Sequence, residues 1–345
     1  MPFWLYVISS MEKQRLLYID IAKGFGIVLV VCSHTQAHDL MIWSVGFFVP
    51  IFYFCSEYMT IYSSSKDSIT QKMKKRAKKL LIPYIFFNIL LIIYYRRWTI
   101  TGLYGILYSR YSFFPFESNN HYDLFIWGNY PMWFITSLLV SYLLYNLLLY
   151  NKNRSLIIFI YLCITCLLSQ LPILLPWSID TAFLCSLIMY AGFYANTHDL
   201  ISWGKSEILI CVLIYSLLLY VAGDINLSVR QYGTSFIIYY IIAILGCFVV
   251  LWSSKKIEQT LMGKLLAIFG KHSLTIFCIE ILFIREASIA YCKLTNADEV
   301  GILGGLCGVV IALFGGTILS VLLHKNYFLR NWLFGERNVV PNKKH

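Results

Sequence analysis

Asp20, Lys23 and His34 fall inside one apolar run near residues 16–37, where ionisable side chains are costly and point to function. At about 100° per residue, the step from Lys23 to His34 closes three helical turns with ~20° to spare, and Asp20 lies ~40° from the same line. All three therefore share one helix face, with ~16 Å of rise between Lys23 and His34. A neutral imidazole is a good base near physiological pH, so His34 is the candidate base. Lys23 and Asp20 would charge the opposite half of the stripe. A packed histidine and a buried ion pair that only fixes packing are the bland alternatives. Asp20 is ~21 Å along the axis from His34, so an orienting carboxylate must come from another helix. Glu280 stands at a matching depth in a late apolar run.

The next run carries Ser56-Glu57-Tyr58 about two turns from its end. Glu57 is placed to neutralise Lys23, with Asp20 as rival partner, in a vestibule for an anionic ligand. Lys72 through Lys79 then reads Lys-Met-Lys-Lys-Arg-Ala-Lys-Lys. As a loop, this stretch would set topology and bind lipid headgroups, or clamp phosphates. Arg76 is the preferred phosphate contact because a guanidinium engages two oxygens at once; Lys75 and Lys79 flank it. Gly24 and Gly26 would let a helix or a ligand come close to the charged half of the stripe.

The elements that hold these residues follow from composition. The 345-residue chain is 59% hydrophobic, 17% aromatic and only 13% charged, which suits a bilayer and not a soluble domain. Ten apolar runs are candidate spans: 16–37, 41–63, 80–95, 131–150, 155–171, 181–195, 207–222, 234–253, 265–287 and 301–323. The expected fold is all-α, a polytopic helical bundle of about ten spans, because open sheet edges cannot sit in lipid. With the N-terminus inside, 20 of the 28 Lys and Arg fall on inner segments and six on outer ones. That split favours both termini in the cytoplasm. The organisation is a cytoplasmic segment 1–15, a transmembrane domain 16–323 and a basic cytoplasmic tail 324–345. Residues 1–10 are too short for a cleaved signal, and Met11 is an alternative start.

The net charge of +11 belongs to topology, so no nucleic-acid partner is expected. The ten cysteines are small core residues; Cys163 and Cys166 have no partner at metal spacing, and no metal is expected. The outer stretch 96–130 interleaves aromatics with Arg96, Arg97, Arg110, Glu117, Asn119, Asn120, His121 and Asp123. It suits an interfacial belt or a polyhydroxyl ligand.

Arg15-Leu-Leu-Tyr-Ile-Asp20-Ile-Ala-Lys23, followed by ten residues and His34, resembles the first-span signature of the bacterial acyltransferase family 3, the integral-membrane O-acyltransferases. Phe48 to Ser56, Lys75-Arg76 through Pro83-Tyr84, Pro131-Met-Trp133-Phe134 and Gly270-Lys-His-Ser273-Leu-Thr-Ile-Phe277 resemble its later blocks in order. The resemblance covers roughly the whole chain. It implies a cytoplasmic acyl-CoA donor, often acetyl-CoA, and a hydroxyl acceptor on a surface polysaccharide or lipid-linked oligosaccharide. It implies His34 as catalytic histidine, Lys23 as its basic partner and Arg76 as a donor contact. The family usually has arginine at the position of Lys23, glycine at that of Glu57 and histidine at that of Glu280.

The expectation is an O-acetyltransferase of the bacterial inner membrane. Asp20, Lys23 and His34 would be catalytic, with His34 as general base or transient acyl carrier; Arg76, Lys75, Lys79 and Glu57 would line the donor mouth. The partners are acyl-CoA, the glycan acceptor and the bilayer, with a homo-oligomer left open. The alternatives are a flippase for a lipid-linked glycan, which intramembrane charges also suit, and a membrane scaffold.

Overall fold

The computed structural model describes residues 16–58, 69–96, 98–110 and 131–335. The expected N-terminal segment 1–15, most of the aromatic stretch (111–130) and the end of the basic tail (336–345) lie outside the described residues.

The chain is a helical bundle. Its elements run α1 Leu17–Ser33, α2 Pro50–Tyr58, α3 Ile69–Tyr94, α4 Ile100–Tyr108, α5 Trp133–Tyr150, α6 Arg154–Ser169, α7 Ile179–Thr197 and α8 Lys205–Ala222. A two-stranded hairpin follows, β1 Ile225–Asn226 and β2 Gln231–Tyr232. The chain ends with α9 Phe236–Lys256, α10 Leu261–Lys271, α11 Ser273–Thr295, α12 Gly301–Lys325 and α13 Tyr327–Phe334. Among the described residues six helices are long and apolar enough to cross a membrane, or seven with the α10–α11 pair. The protein is an all-α polytopic membrane protein.

Three of the ten expected runs take a different form. The run 41–63 divides into a 3₁₀ segment, His38–Ser44, and α2. Pro50 opens α2 because its missing N–H costs nothing at a first helical position. The basic stretch expected as a loop is instead the first part of α3, which runs 26 residues; Lys and Arg are good helix formers. The run 265–287 breaks at His272, where α10 and α11 meet at 84°.

Beside the break, α10 lies very close to α1. A Cβ on Gly270 would stand 1.8 Å from the carbonyl oxygen of Asp20, and one on Gly24 would stand 2.0 Å from that of Leu266. The helices touch backbone to backbone, which only small residues allow. So Gly24 admits a helix, not a ligand. In the expected tail, α13 packs back on α3, with Leu333 buried and the Trp332 ring 6.0 Å from that of Phe86.

Candidate active site

His34 caps the C-terminal end of α1. Its Nδ1 lies 2.9 Å from Oε1 of Glu280 on α11, and Glu280 is fully buried. Against an ionised carboxylate, which only accepts hydrogen bonds, Nδ1 is the donor. A carboxylate held against one ring nitrogen fixes the orientation of a histidine and leaves the other nitrogen open. The Glu280 carboxylate fixes the orientation of the ring.

His34 faces a cavity of about 320 Å³, also lined by His38, Asp39, Trp133, Asn226 and Ser228. That size suits a small ligand. Part of its wall is β1 and the turn that follows it. In the ladder Ile225 pairs with Tyr232 and Asn226 with Gln231.

A buried network holds this hairpin. Asp180, at the start of α7, accepts from Arg110 Nη2 through Oδ1 and from Arg230 Nη1 at 2.9 Å through Oδ2. Arg110 Nη1 donates to the carbonyl of Ser228 at 2.6 Å and its Nε to that of Leu175 at 3.2 Å. Arg230 donates to the carbonyls of Ile173, at 3.0 Å, and Leu171. Arg110 and Asp180 are wholly buried and Arg230 is 5% exposed. In the sequence the three charges lie in separate segments, and no spacing joins them. The usable signal was Asp180, an acid at the mouth of an apolar run on the side poor in cations. His34, Arg110, Asp180 and Arg230 come from four separate segments that charge alternation puts on one side. They gather at one end of the bundle.

The other charged residues meet at the opposite end. Glu57 is 2% exposed and accepts from Arg76 Nη1 at 2.7 Å. It is therefore Arg76, not Lys23, that takes its carboxylate. The α3 helix carries Arg76 inward, where its guanidinium also lies 4.2 Å over the Tyr142 ring. Lys75 and Lys79 are exposed beside it. Lys23 is half-buried and Asp20 is buried on the α1 stripe. The structure thus brings Glu57 and Arg76 together and separates both from His34. Among the described residues no three His, Cys, Asp or Glu side chains gather as metal ligands.

The model of the acyltransferase domain of acyltransferase family 3 matches residues 16–325. The chain belongs to this family. No curated protein and no solved structure matches it. As a family 3 acyltransferase it is a membrane enzyme of acyl transfer. The acyltransferase match takes in both charged ends of the bundle, from α1 through α12. Only α13 and the chain termini fall outside it.

Proposed function

We propose that the protein transfers an acetyl group from cytoplasmic acetyl-CoA to a hydroxyl of a surface polysaccharide or lipid-linked oligosaccharide, in a bacterial cytoplasmic membrane. The observation that carries this reading is the His34–Glu280 pair opening on a cavity.

The donor's phosphates would sit at the Arg76 end. One N–H of Arg76 is given to Glu57, and a guanidinium has further donors for phosphate oxygens. Lys75 and Lys79 would add exposed positive charge, and Glu57 would hold the Arg76 fork in place. The acyl-pantetheine arm would run along the α1 stripe past Asp20 and Lys23 toward His34. There Nε2 of His34, its Nδ1 held by Glu280, removes the acceptor hydroxyl proton. The acceptor oxygen bonds to the thioester carbonyl carbon, the carbon–sulfur bond breaks, and Nε2 returns the proton to the departing thiolate. The imidazolium formed on the way is stabilised by the Glu280 carboxylate, as in other oriented histidine bases.

The test is incorporation of labelled acetyl from acetyl-CoA into glycan by the purified protein in nanodiscs. Mass spectrometry of surface glycans with and without the protein should show a loss of about 42 Da per modified unit, one acetyl group. Label that stays in CoA while the wild type moves glycan across the bilayer would favour the flippase instead.

A further inference from the structure

A cavity of about 370 Å³ lies among α6, α7, α8 and α9, lined in part by Ile158, Tyr194, Trp203, Cys211, Tyr240 and Phe248. Among the described residues no charged side chain lines it. Three of these helices, α7, α8 and α9, are long and apolar enough to cross a membrane, so the cavity sits at membrane depth. Tyr194 and Trp203 are exposed, which opens it to the surroundings. Its lining follows an i, i+4 row on α9, through Tyr240, Ile244 and Phe248, and the next residue of the row is Trp252. From Trp252 to Tyr240 the helix rises ~18 Å, close to the ~15 Å of hydrocarbon in one leaflet. We infer that this slot holds one acyl chain of an anionic phospholipid, whose phosphate lies against Lys205 and Lys256.

Printed on one end of the slot is a boundary between apolar and charged groups. The Trp203 ring lies 4.9 Å from that of Phe248, and the Trp203 carbonyl accepts from Trp252 Nε1 at 2.9 Å. The Lys256 ammonium stands 5.1 Å over the Trp252 ring. Two ring contacts therefore lead from the lining to a cation. Lys205 follows Trp203 by two residues, and Arg154 precedes Ile158 by one helical turn, on the same face of α6. Lys205, Lys256 and Arg154 are all exposed, and among the described residues no carboxylate pairs with them. Glu207, the nearest acid in sequence to Lys205, accepts instead from the Ser206 hydroxyl at 3.0 Å. Tryptophan belongs at the membrane–water boundary, and cations just beyond it attract anionic headgroups. The bias of Lys and Arg makes this end cytoplasmic, the side on which such lipids act. A second copy of the chain packed symmetrically here would bring the same cations to the seam, whereas a phosphate neutralises them.

The test reads bound lipid and not acyl transfer, so it stands apart from the acetyltransferase reading. Delipidated protein in detergent is given phosphatidylglycerol or, as the zwitterionic control, phosphatidylcholine, and retained lipid is counted by native mass spectrometry. Wild type should retain one phosphatidylglycerol, bound about tenfold more tightly than phosphatidylcholine. Lys205→Gln with Lys256→Gln, both exposed, should keep the fold and lose that preference. Ile244→Trp fills the slot and should lose both lipids. Equal retention of the two lipids by wild type, or an unchanged preference in the lysine variant, overturns the site. A lipid-free wild type that runs as a dimer gives the slot to a second copy and overturns it as well. Phosphatidylglycerol carrying a diazirine on one acyl chain then locates the chain. Adducts concentrated on the peptides of Tyr194, Cys211 and Ile244 support the slot, and adducts spread evenly over the lipid-facing helices overturn it.

Discussion

Arg110 and Asp180 stand 70 residues apart in the chain and meet as a fully buried ion pair. Arg230 completes the cluster from 50 residues further on. One carboxylate thus joins the segments after α4, before α7 and within the hairpin. Removing one partner of such a group leaves charge buried without compensation. Asp180→Asn should lower stability by about 3–5 kcal/mol, read as a large drop in melting temperature of the detergent-solubilised protein. An unchanged melting temperature would show that the network does not hold the outer loops.

Gly270 and Gly24 test the α1–α10 crossing. A Cβ at 1.8 Å from the Asp20 carbonyl meets backbone, which cannot rotate aside. Gly270→Ala should cost at least about 1–3 kcal/mol and displace the α1 stripe, so thermal stability and acyl transfer should fall together. A variant with wild-type stability and turnover would contradict the backbone contact.

For the proposed base, His34→Ala should abolish transfer while membrane insertion and melting temperature stay near wild type. Glu280→Gln keeps the shape and removes the negative charge set against the ring during transfer. It should lower kcat by about 10²- to 10⁴-fold with little change in KM for acetyl-CoA. Equal turnover in either variant removes His34 from the chemistry.

At the other end, Arg76→Ala would strand the buried Glu57 carboxylate and remove the proposed phosphate contact. Both stability and donor affinity should drop. Adding Glu57→Gln should recover much of the stability, because the stranded charge is gone, but not the KM for acetyl-CoA. Recovery of both would make Arg76 a structural residue only.

Lys23 is half-buried on the α1 stripe, in reach of the path proposed for the pantetheine arm. Lys23→Ala should raise the KM for acetyl-CoA, and Lys23→Arg, the residue usual in the family, should retain substantial activity. Wild-type kinetics in both variants would end the inner-vestibule proposal.

The sequence alone determined the features that depend on local periodicity and on solvent. Apolar runs of span length, the Asp20–Lys23–His34 stripe and the bias of Lys and Arg between loops are all written within single segments or their order. Helical geometry and the hydrocarbon core turn them into an all-α membrane bundle with little further choice. Tertiary structure decided which side chains meet. Glu280 reaches His34 from 246 residues away, and the sequence offered only a matching depth. Glu57 chose Arg76 over Lys23 because the basic stretch continues α3 as a helix and carries the guanidinium inward. The break at His272 lies next to the contact of Gly270 with α1, and the apolar run 265–287 concealed both. The Arg110–Asp180–Arg230 cluster was legible only as three isolated charges. Apolarity sets how deep a residue lies along its own helix, whereas rotation and neighbour choice are set by packing between helices, which no single segment records.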